Sequence, residues 1–232
     1  MNFNIGKFHI SITCSTEFVD DYNLYTFEQL LINSSRFERC NIKKKNIIAV
    51  KDYLSSVKIP NIFVLYMKLF NTSKCFRNSN DKDSGFVGIF KRATNEYEEF
   101  YSIGLNPDYI CDLQELVNWY YNINCDNHLH KIIGFACYLL YEKIHPHYDG
   151  NGRMGRLLFL ENVYNKCFVP ISHKLRKHRK LHDNLFPESV IRIYNNQDIN
   201  EIYDKQDVTN YFNITVDDNL LHKILLLLQS EQ

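Results

Sequence analysis

The run from Leu129 to Ile144 constrains this chain more than any other stretch. Ile132, Ile133, Ala136, Cys137, Leu139, Leu140 and Ile144 cover most of a helix's circumference. A helix that is apolar nearly all round needs neighbours on every side, which predicts a central helix in a mainly α domain. Pro146 forbids its continuation, so the chain must leave the core close to His145.

The neighbours are legible as further periodic runs. Thr26 to Phe37 places Phe27, Leu30, Leu31 and Ser34 at helical spacing, with Thr26 as N-cap and Gln29 at the capping-box position. Ile47–Val57 and Ile62–Phe70 predict a helical pair broken at Pro60, preceded by Lys43-Lys44-Lys45 as a solvated loop or helix start. Asp112 to Tyr121 predicts a short helix carrying the only tryptophan, Trp119. Met154 to Cys167 predicts another, with Leu157, Leu158, Leu160 and Val163 inward. A last helix is expected over about 219–229, capped by Asp217 or Asp218. Strand signals are fewer. Residues 3–14 alternate loosely, Gly85–Arg92 leads into a hairpin over Ala93–Ile103, and the chain alternates again from Val190. Residues 71–84 are polar and read as a surface loop, and the basic run His173–Lys180 as a solvated face.

At 232 residues the chain is long enough for one sizeable core. Lys+Arg and Asp+Glu both count 27, so no net field draws it to nucleic acid, which is not an expected partner. Seven cysteines with no Cys-x-x-Cys pair read as reduced thiols, and the first residues lack the apolar core of a signal peptide. The longest apolar run, Ile224–Leu228, is far short of the roughly 20 residues a membrane span needs. A cytoplasmic protein without a membrane partner is the expectation.

The chemistry concentrates between His145 and Arg156, which reads His-Pro-His-Tyr-Asp-Gly-Asn-Gly-Arg-Met-Gly-Arg. Gly150-Asn151-Gly152 lies between two helices, where glycines let a backbone approach a ligand closely. The amides opening the second helix, with its dipole, favour an anion. Arg153 and Arg156 share one helical face, and planar guanidiniums suit phosphate oxygens. Asp149 is a hard oxygen ligand of the kind a phosphate-bound Mg²⁺ needs. His145, at the end of a rigid helix, is placed to accept a proton near neutral pH.

This motif, His145-Pro146-x-x-Asp149-Gly150-Asn151-Gly152-Arg153-x-x-Arg156, resembles that of the Fic family, whose members mostly transfer AMP from ATP to a hydroxyl side chain of a target protein. The resemblance implies a mainly α Fic fold, a helical bundle with a small β-hairpin flap near the active site. It implies His145 as the base that deprotonates the target hydroxyl, and Asp149 as the Mg²⁺ ligand. It implies Gly150, Asn151 and Gly152 as an anion hole for the α-phosphate, with Arg153 and Arg156 on the outer phosphates. ATP is then substrate and Mg²⁺ cofactor. Where the family usually has phenylalanine after His-Pro, this chain has His147, which buries less apolar area and needs a hydrogen-bond partner. Some loss of rigidity is expected there. Gly152 stands where a phosphotransferase branch carries lysine, which argues against kinase-like chemistry.

A second resemblance lies upstream. Ser34-Ser35-Arg36-Phe37-Glu38 is similar to the inhibitory helix of Fic proteins that carry it N-terminally, with the pattern Ser/Thr-x-x-x-Glu-Gly/Asn. The resemblance implies that Glu38, with Ser34, pairs with Arg156 and blocks the outer-phosphate position. Arg39 replaces the family's Gly or Asn and is expected to offer Glu38 a competing neighbour. Gly88-Ile89-Phe90-Lys91-Arg92 resembles the family's Gly-x-Phe/Tyr-Arg motif, followed by the flap that pairs with target backbone.

The division that follows is a Fic domain over 1–189, with inhibitory helix 26–39, flap about 88–107 and active-site motif 145–156. Residues 190–232 are then a C-terminal extension of unassigned role. The leading expectation is a protein adenylyltransferase acting on Ser, Thr or Tyr hydroxyls, autoinhibited by Glu38. De-AMPylation, transfer of another nucleotide or of phosphocholine, and a catalytically weakened binding module stay open, as does a homodimer. His128-x-His130 and His145-x-His147, near Cys125, lack the paired spacing of a structural zinc site.

Overall fold

The computed structural model describes residues 1–14, 26–78, 87–110, 113–160, 175–186 and 191–229. In chain order these give strands β1 (Asn2–Ile5) and β2 (Phe8–Ile12), then helices α1 (Phe27–Phe37), α2 (Lys44–Ser56) and α3 (Ile62–Phe70). Strands β3 (Gly88–Ala93) and β4 (Tyr97–Ile103) follow, then helices α4 (Leu113–Asn122), α5 (Asn127–Ile144), α6 (Asn151–Phe159) and α7 (Leu175–Asp183). The last third adds β5 (Ile191–Tyr194), α8 (Ile199–Tyr203), α9 (Val208–Phe212), β6 (Asn213–Val216) and α10 (Asp218–Gln229). The mainly α architecture with small sheets agrees with the sequence expectation.

α5 is the hub. Ile133, Phe135, Ala136, Cys137, Leu140, Tyr141 and Ile144 are fully buried, each worth about 1.5–3 kcal/mol for the larger apolar side chains. Asp126 caps it, its carboxylate accepting from the Leu129 amide. Gly134 and Gly155 let α6 lie close against it. A Cβ at Gly134 would stand 2.6 Å from the Phe159 carbonyl oxygen, and one at Gly155 would stand 2.9 Å from the Tyr138 ring.

α1 begins with the expected reciprocal capping box between Thr26 and Gln29. It ends in a Schellman turn: the Cys40 amide donates to Ser35 O and the Arg39 amide to Arg36 O. Glu38 is therefore the C-cap, and Arg39 carries the left-handed backbone at φ 58°. Glycine and asparagine adopt that conformation most readily, whereas a Cβ there costs roughly 1–2 kcal/mol.

Two small sheets flank the helices. β1 and β2 pair antiparallel and β6 joins β2 in parallel, with Ile10 opposite Ile214. β3 and β4 form the expected hairpin, and β5 adds antiparallel to β4, so the flap is three-stranded. Its buried member, Glu99, accepts from both Arg92 and Arg192, whose hydrogen bonds hold its carboxyl down at about 2. Residues 191–229 thus edge the flap, complete the N-terminal sheet and pack Leu221 and Ile224 into the main core.

Several sequence expectations need correction. The run 71–84 is not simply a polar surface loop. Cys75 and Arg77 are buried, and residues 79–84 lie outside the described ones. Gly88–Arg92 is strand β3 of the flap, with Arg92 outward on Glu99. The helix expected over Met154–Cys167 starts earlier, at Asn151, because Gly150 supplies a left-handed N-cap at φ 80°; residues 161–167 lie outside the described ones. Two others hold as expected: the basic trio is a helix start, with Lys44 opening α2, and Asp217 caps α10 through the Leu220 amide. Among the described residues no helix is long and apolar enough to cross a membrane.

Candidate active site

The end of α5 is held by carbonyl capping from an unexpected direction. Pro146 disfavours a helical conformation at His145, which turns left-handed at φ 53° and becomes the C-cap. Buried Arg77 then gathers the released carbonyls. Its Nε donates to His145 O at 2.7 Å, and its NH2 donates to Leu105 O at 2.5 Å and Ile144 O at 3.2 Å. Its backbone amide donates to Pro146 O at 2.8 Å, and its NH1 to the Tyr203 hydroxyl at 3.2 Å. A cation at a helix C-terminus also complements the dipole. Gly104 makes room for this clamp: a Cβ there would stand 2.8 Å from Arg77 NH2 and 2.9 Å from His145 Cβ. Sequence reasoning missed Arg77 because it sits in a polar run, and only its hydrogen bonds disclose it.

The imidazole of His145 is oriented by its own helix. Nδ1 lies 3.2 Å from Glu142 O, so an Nδ1–H donor leaves Nε2 as the basic nitrogen. Burial lowers its pKa to about 4, against the raising effect of that carbonyl, and the ring is neutral at physiological pH.

His147 behaves differently from the expectation. The ring is fully buried between Tyr66, stacked at 4.3 Å, and Phe76, at 5.4 Å. Nδ1 donates to Cys75 O at 2.5 Å, and Nε2 accepts from the Tyr141 hydroxyl. The lost apolar area is offset by two hydrogen bonds and two ring contacts, so the position is fixed rather than loosened. Burial pushes its pKa down to about 3, keeping it neutral. His147→Phe is therefore expected to destabilise the fold by about 1–3 kcal/mol, because Tyr141 and Cys75 O lose their partner. Urea unfolding measures this, and a phenylalanine variant as stable as the parent would remove the argument.

The turn that follows is equally committed. Asn151 accepts from the His147 amide at 2.8 Å and donates to His147 O at 2.9 Å, so its side chain serves the loop. What it can offer an anion is its backbone. The first bond of α6 runs from the Met154 amide to Gly150 O, leaving the amides of residues 151–153 without a carbonyl inside the helix. Gly150 lies under the Phe70 ring, 2.2 Å from where a Cβ would be. Asp149 is 79% exposed at the mouth, accepting from the Gly150 amide at 2.7 Å and Arg153 NH2 at 2.8 Å.

A cavity of about 520 Å³ opens above this turn, lined by His145, Asp149, Gly150, Asn151 and Gly152 on one side. Glu38, Glu142, Arg179 and His182 line it as well, with β3 residues 88–90 across from them. Neither motif arginine lines it. Arg153 lies over the Phe70 ring at 4.6 Å and pairs with Asp149. Arg156, 4% exposed, donates from Nε to Ser34 Oγ at 2.9 Å. Its NH2 donates to Ser34 O at 3.1 Å and Glu38 Oε1 at 2.8 Å.

Glu38 and Ser34 thus occupy Arg156 across more than a hundred residues. Burial works against the Glu38 charge, yet the Arg156 guanidinium overcomes it and holds the carboxyl below its usual range. Arg39 is exposed and no part of this balance, since the left-handed turn points it away; the expected competition does not arise. Gly152 makes the contact possible, for a Cβ there would stand 2.6 Å from Glu38 Oε1 and 2.8 Å from Arg156 NH1.

Of the basic run 173–180, residues 173–174 and the side chains of 175–178 lie outside the described ones and Lys180 is exposed, but Arg179, and His182 beyond the run, turn inward on α1. Arg179 donates to Phe37 O at 2.5 Å, and the His182 ring meets Phe37 edge-on at 5.3 Å. His182 Nε2 also lies 2.7 Å from the Tyr138 hydroxyl. No sequence periodicity pointed to either residue; a helix rich in Lys, Arg and His gives no sign of which members turn inward.

Comparison with curated proteins and with solved structures finds no match. The sequence model of the Fic/DOC family matches residues 65–161, a span holding most of α3, strands β3 and β4 of the flap, α4, α5, the His145–Arg156 turn and α6. Residues 65–161 therefore match the Fic/DOC family, whose members are generally transferases of nucleotidyl and phosphoryl groups.

Proposed function

We propose that this protein is an adenylyltransferase that moves AMP from ATP to a Ser, Thr or Tyr hydroxyl of a target protein, and that Glu38 holds it inactive. The observation that carries this reading is the neutral His145 standing beside the open amides of α6 in one cavity. The hydroxyl oxygen attacks the α-phosphorus, the bond to pyrophosphate breaks, and the hydroxyl proton passes to His145 Nε2. The amides of residues 151–153 receive the α-phosphate, where negative charge develops. Arg156 serves the outer phosphates once Glu38 and Ser34 release it. The exposed edge of β3 offers target backbone a strand to pair with, as in β-augmentation.

The residues present fit Mg²⁺ carried in by phosphates rather than a dedicated metal cage. Asp149 is one exposed carboxylate at the mouth, and the described residues contain no group of three or more His, Cys, Asp or Glu placed to hold a metal. When bound, the ion would neutralise phosphate charge, with Asp149 as its protein ligand.

A second reading, removal of AMP from a modified target, draws support from Glu38 itself. Its carboxylate is ionised, 32% exposed and beside Gly152, where it would orient a water. Incubation with α-labelled ATP, Mg²⁺ and cell lysate tests the main reading. Glu38→Gly is expected to label itself or a target well above the parent, and Arg156→Ala in that background to lose the gain. No label from Glu38→Gly with any nucleotide would end the transferase reading. Equal labelling by the parent and Glu38→Gly would end the autoinhibition.

A further inference from the structure

The active-site cavity holds one acid that the motif chemistry leaves unused. Glu142 sits on α5 one turn before His145, lines the cavity and is 5% exposed. Its Oε1 is buried and has no hydrogen-bond partner among the described residues. Helix α5 contributes Tyr138 and His145 as neighbours in the site, α1 contributes Glu38, and α6 contributes Arg156. Across the cavity stand Arg179, His182 and Asp183 of α7 and Glu98 of the flap.

An ionised carboxylate with an unpaired oxygen, in the same buried site as a second carboxylate, is among the costliest arrangements a protein can hold. Burial first, and then Glu38, push the Glu142 carboxyl up to about 8, with Arg156 pulling the other way. The group therefore enters neutral pH as a protonated acid, with an O–H to donate. Among the described residues the fold supplies no hydrogen bond to Glu142 Oε1.

We propose that Glu142 is a ligand-binding residue, a neutral hydrogen-bond donor to the outer phosphates of the nucleotide that displaces Glu38 from Arg156. This rests on the nucleotide-transfer reading above and adds to it the group that meets the anion from the α5 side. Glu142 lines the same cavity as Glu38 and Gly152, so an anion taking the Glu38 place on Arg156 enters the cavity that Glu142 faces. Toward such an anion a protonated carboxyl makes a charge-assisted bond, while its ionised form repels by like charge. Nucleotide binding is then linked to one proton. It is strongest when Glu142 is neutral and weakens as pH rises through about 8.

Calorimetric titration of the full chain with ATP and Mg²⁺ between pH 6.5 and 9 tests this, using Glu38→Gly as parent to clear Arg156. The parent is expected to bind at least severalfold more weakly at pH 9 than at pH 6.5; removing Glu38 takes away one of the two causes that raise the Glu142 carboxyl, so the fall is centred below about 8. Glu38→Gly with Glu142→Gln keeps a donor that cannot ionise and should hold its affinity within about twofold. Glu38→Gly with Glu142→Leu should bind severalfold more weakly than the glutamine variant at pH 7. AMP, which lacks outer phosphates, should bind all three alike. A glutamine variant that follows the parent's pH profile, a leucine variant that matches glutamine, or AMP affinities that shift like those of ATP would each overturn the assignment. ATP binding to none of the three would overturn the nucleotide reading with it, an outcome distinct from binding that ignores Glu142. Thermal melts confirm that each variant is folded; the glutamine variant should melt higher than the parent at pH 8, where Glu142 has to keep a proton to stay buried.

Discussion

In the Glu38→Gly background, His145→Ala is expected to cut the rate of AMP transfer by roughly 10²–10⁴-fold, the range for loss of a general base. ATP affinity should stay within about twofold, because the phosphates rest on α6 amides and arginines rather than on the imidazole. The pH dependence carries its own sign. A base works only when unprotonated, and burial has lowered His145 to about 4. The acidic limb of the rate should therefore fall well below the 6.5 of an ordinary histidine, and activity should persist near pH 5. Rates measured from pH 4 to 8 with labelled ATP check this. An acidic limb at 6.5, or an alanine variant that keeps its rate, would remove His145 from the role.

Arg77→Met is expected to lower the stability of the whole fold by roughly 3 kcal/mol or more, since each buried carbonyl left without a donor costs about 1–3 kcal/mol. Leu105 O and His145 O lose their donor, Ile144 O keeps only the Leu105 amide, and the Tyr203 hydroxyl loses its link through Arg77. In a chain of this size that is a fall of about 10 °C in melting temperature. Arg77 is a positioning residue, so a second readout is needed. At temperatures where the variant is still folded, kcat should fall severalfold while KM for ATP changes little, because the carbonyl turn that aims His145 is loosened and the phosphate site is not. A variant that melts low but keeps kcat would make the clamp purely structural.

The two resident histidines of the motif give the fold a further pH signature, with the same origin in burial as that of Glu142 and the opposite direction. Both are neutral in the fold and would take protons on unfolding below about 6.5. Their contribution to stability is complete above that pH and is lost as pH falls toward their folded values near 4 and 3.

How much of this was legible beforehand follows from what each feature depends on. The central helix, the Thr26 capping box, the stop at Pro146 and the Gly150 turn are local, and local periodicity and cap chemistry disclosed them. His145, Asp149 and the motif glycines and arginines sit within twelve consecutive residues, so their spacing alone implied a phosphate site. The consequence of His147 could not be read there. A histidine in place of a ring looks like a loss until Cys75 O, Tyr141, Tyr66 and Phe76 arrive from three separate segments.

What the sequence determined by itself is therefore the helical class, the element ends and the composition of the motif, because these are set by neighbours within a few residues along the chain. What only the tertiary structure decided is every contact whose partners lie far apart: Arg77 on the end of α5, β5 on the flap, Phe37 between Arg179 and His182. The pairing of Arg156 with Glu38 stands between the two. Resemblance suggested it, but its strength rests on a left-handed turn at Arg39 and a missing Cβ at Gly152, 118 residues from the arginine's partner to the arginine itself. Glu142 belongs wholly to the second kind, since one glutamate on a helix is ordinary until burial leaves its Oε1 without a partner among the described residues.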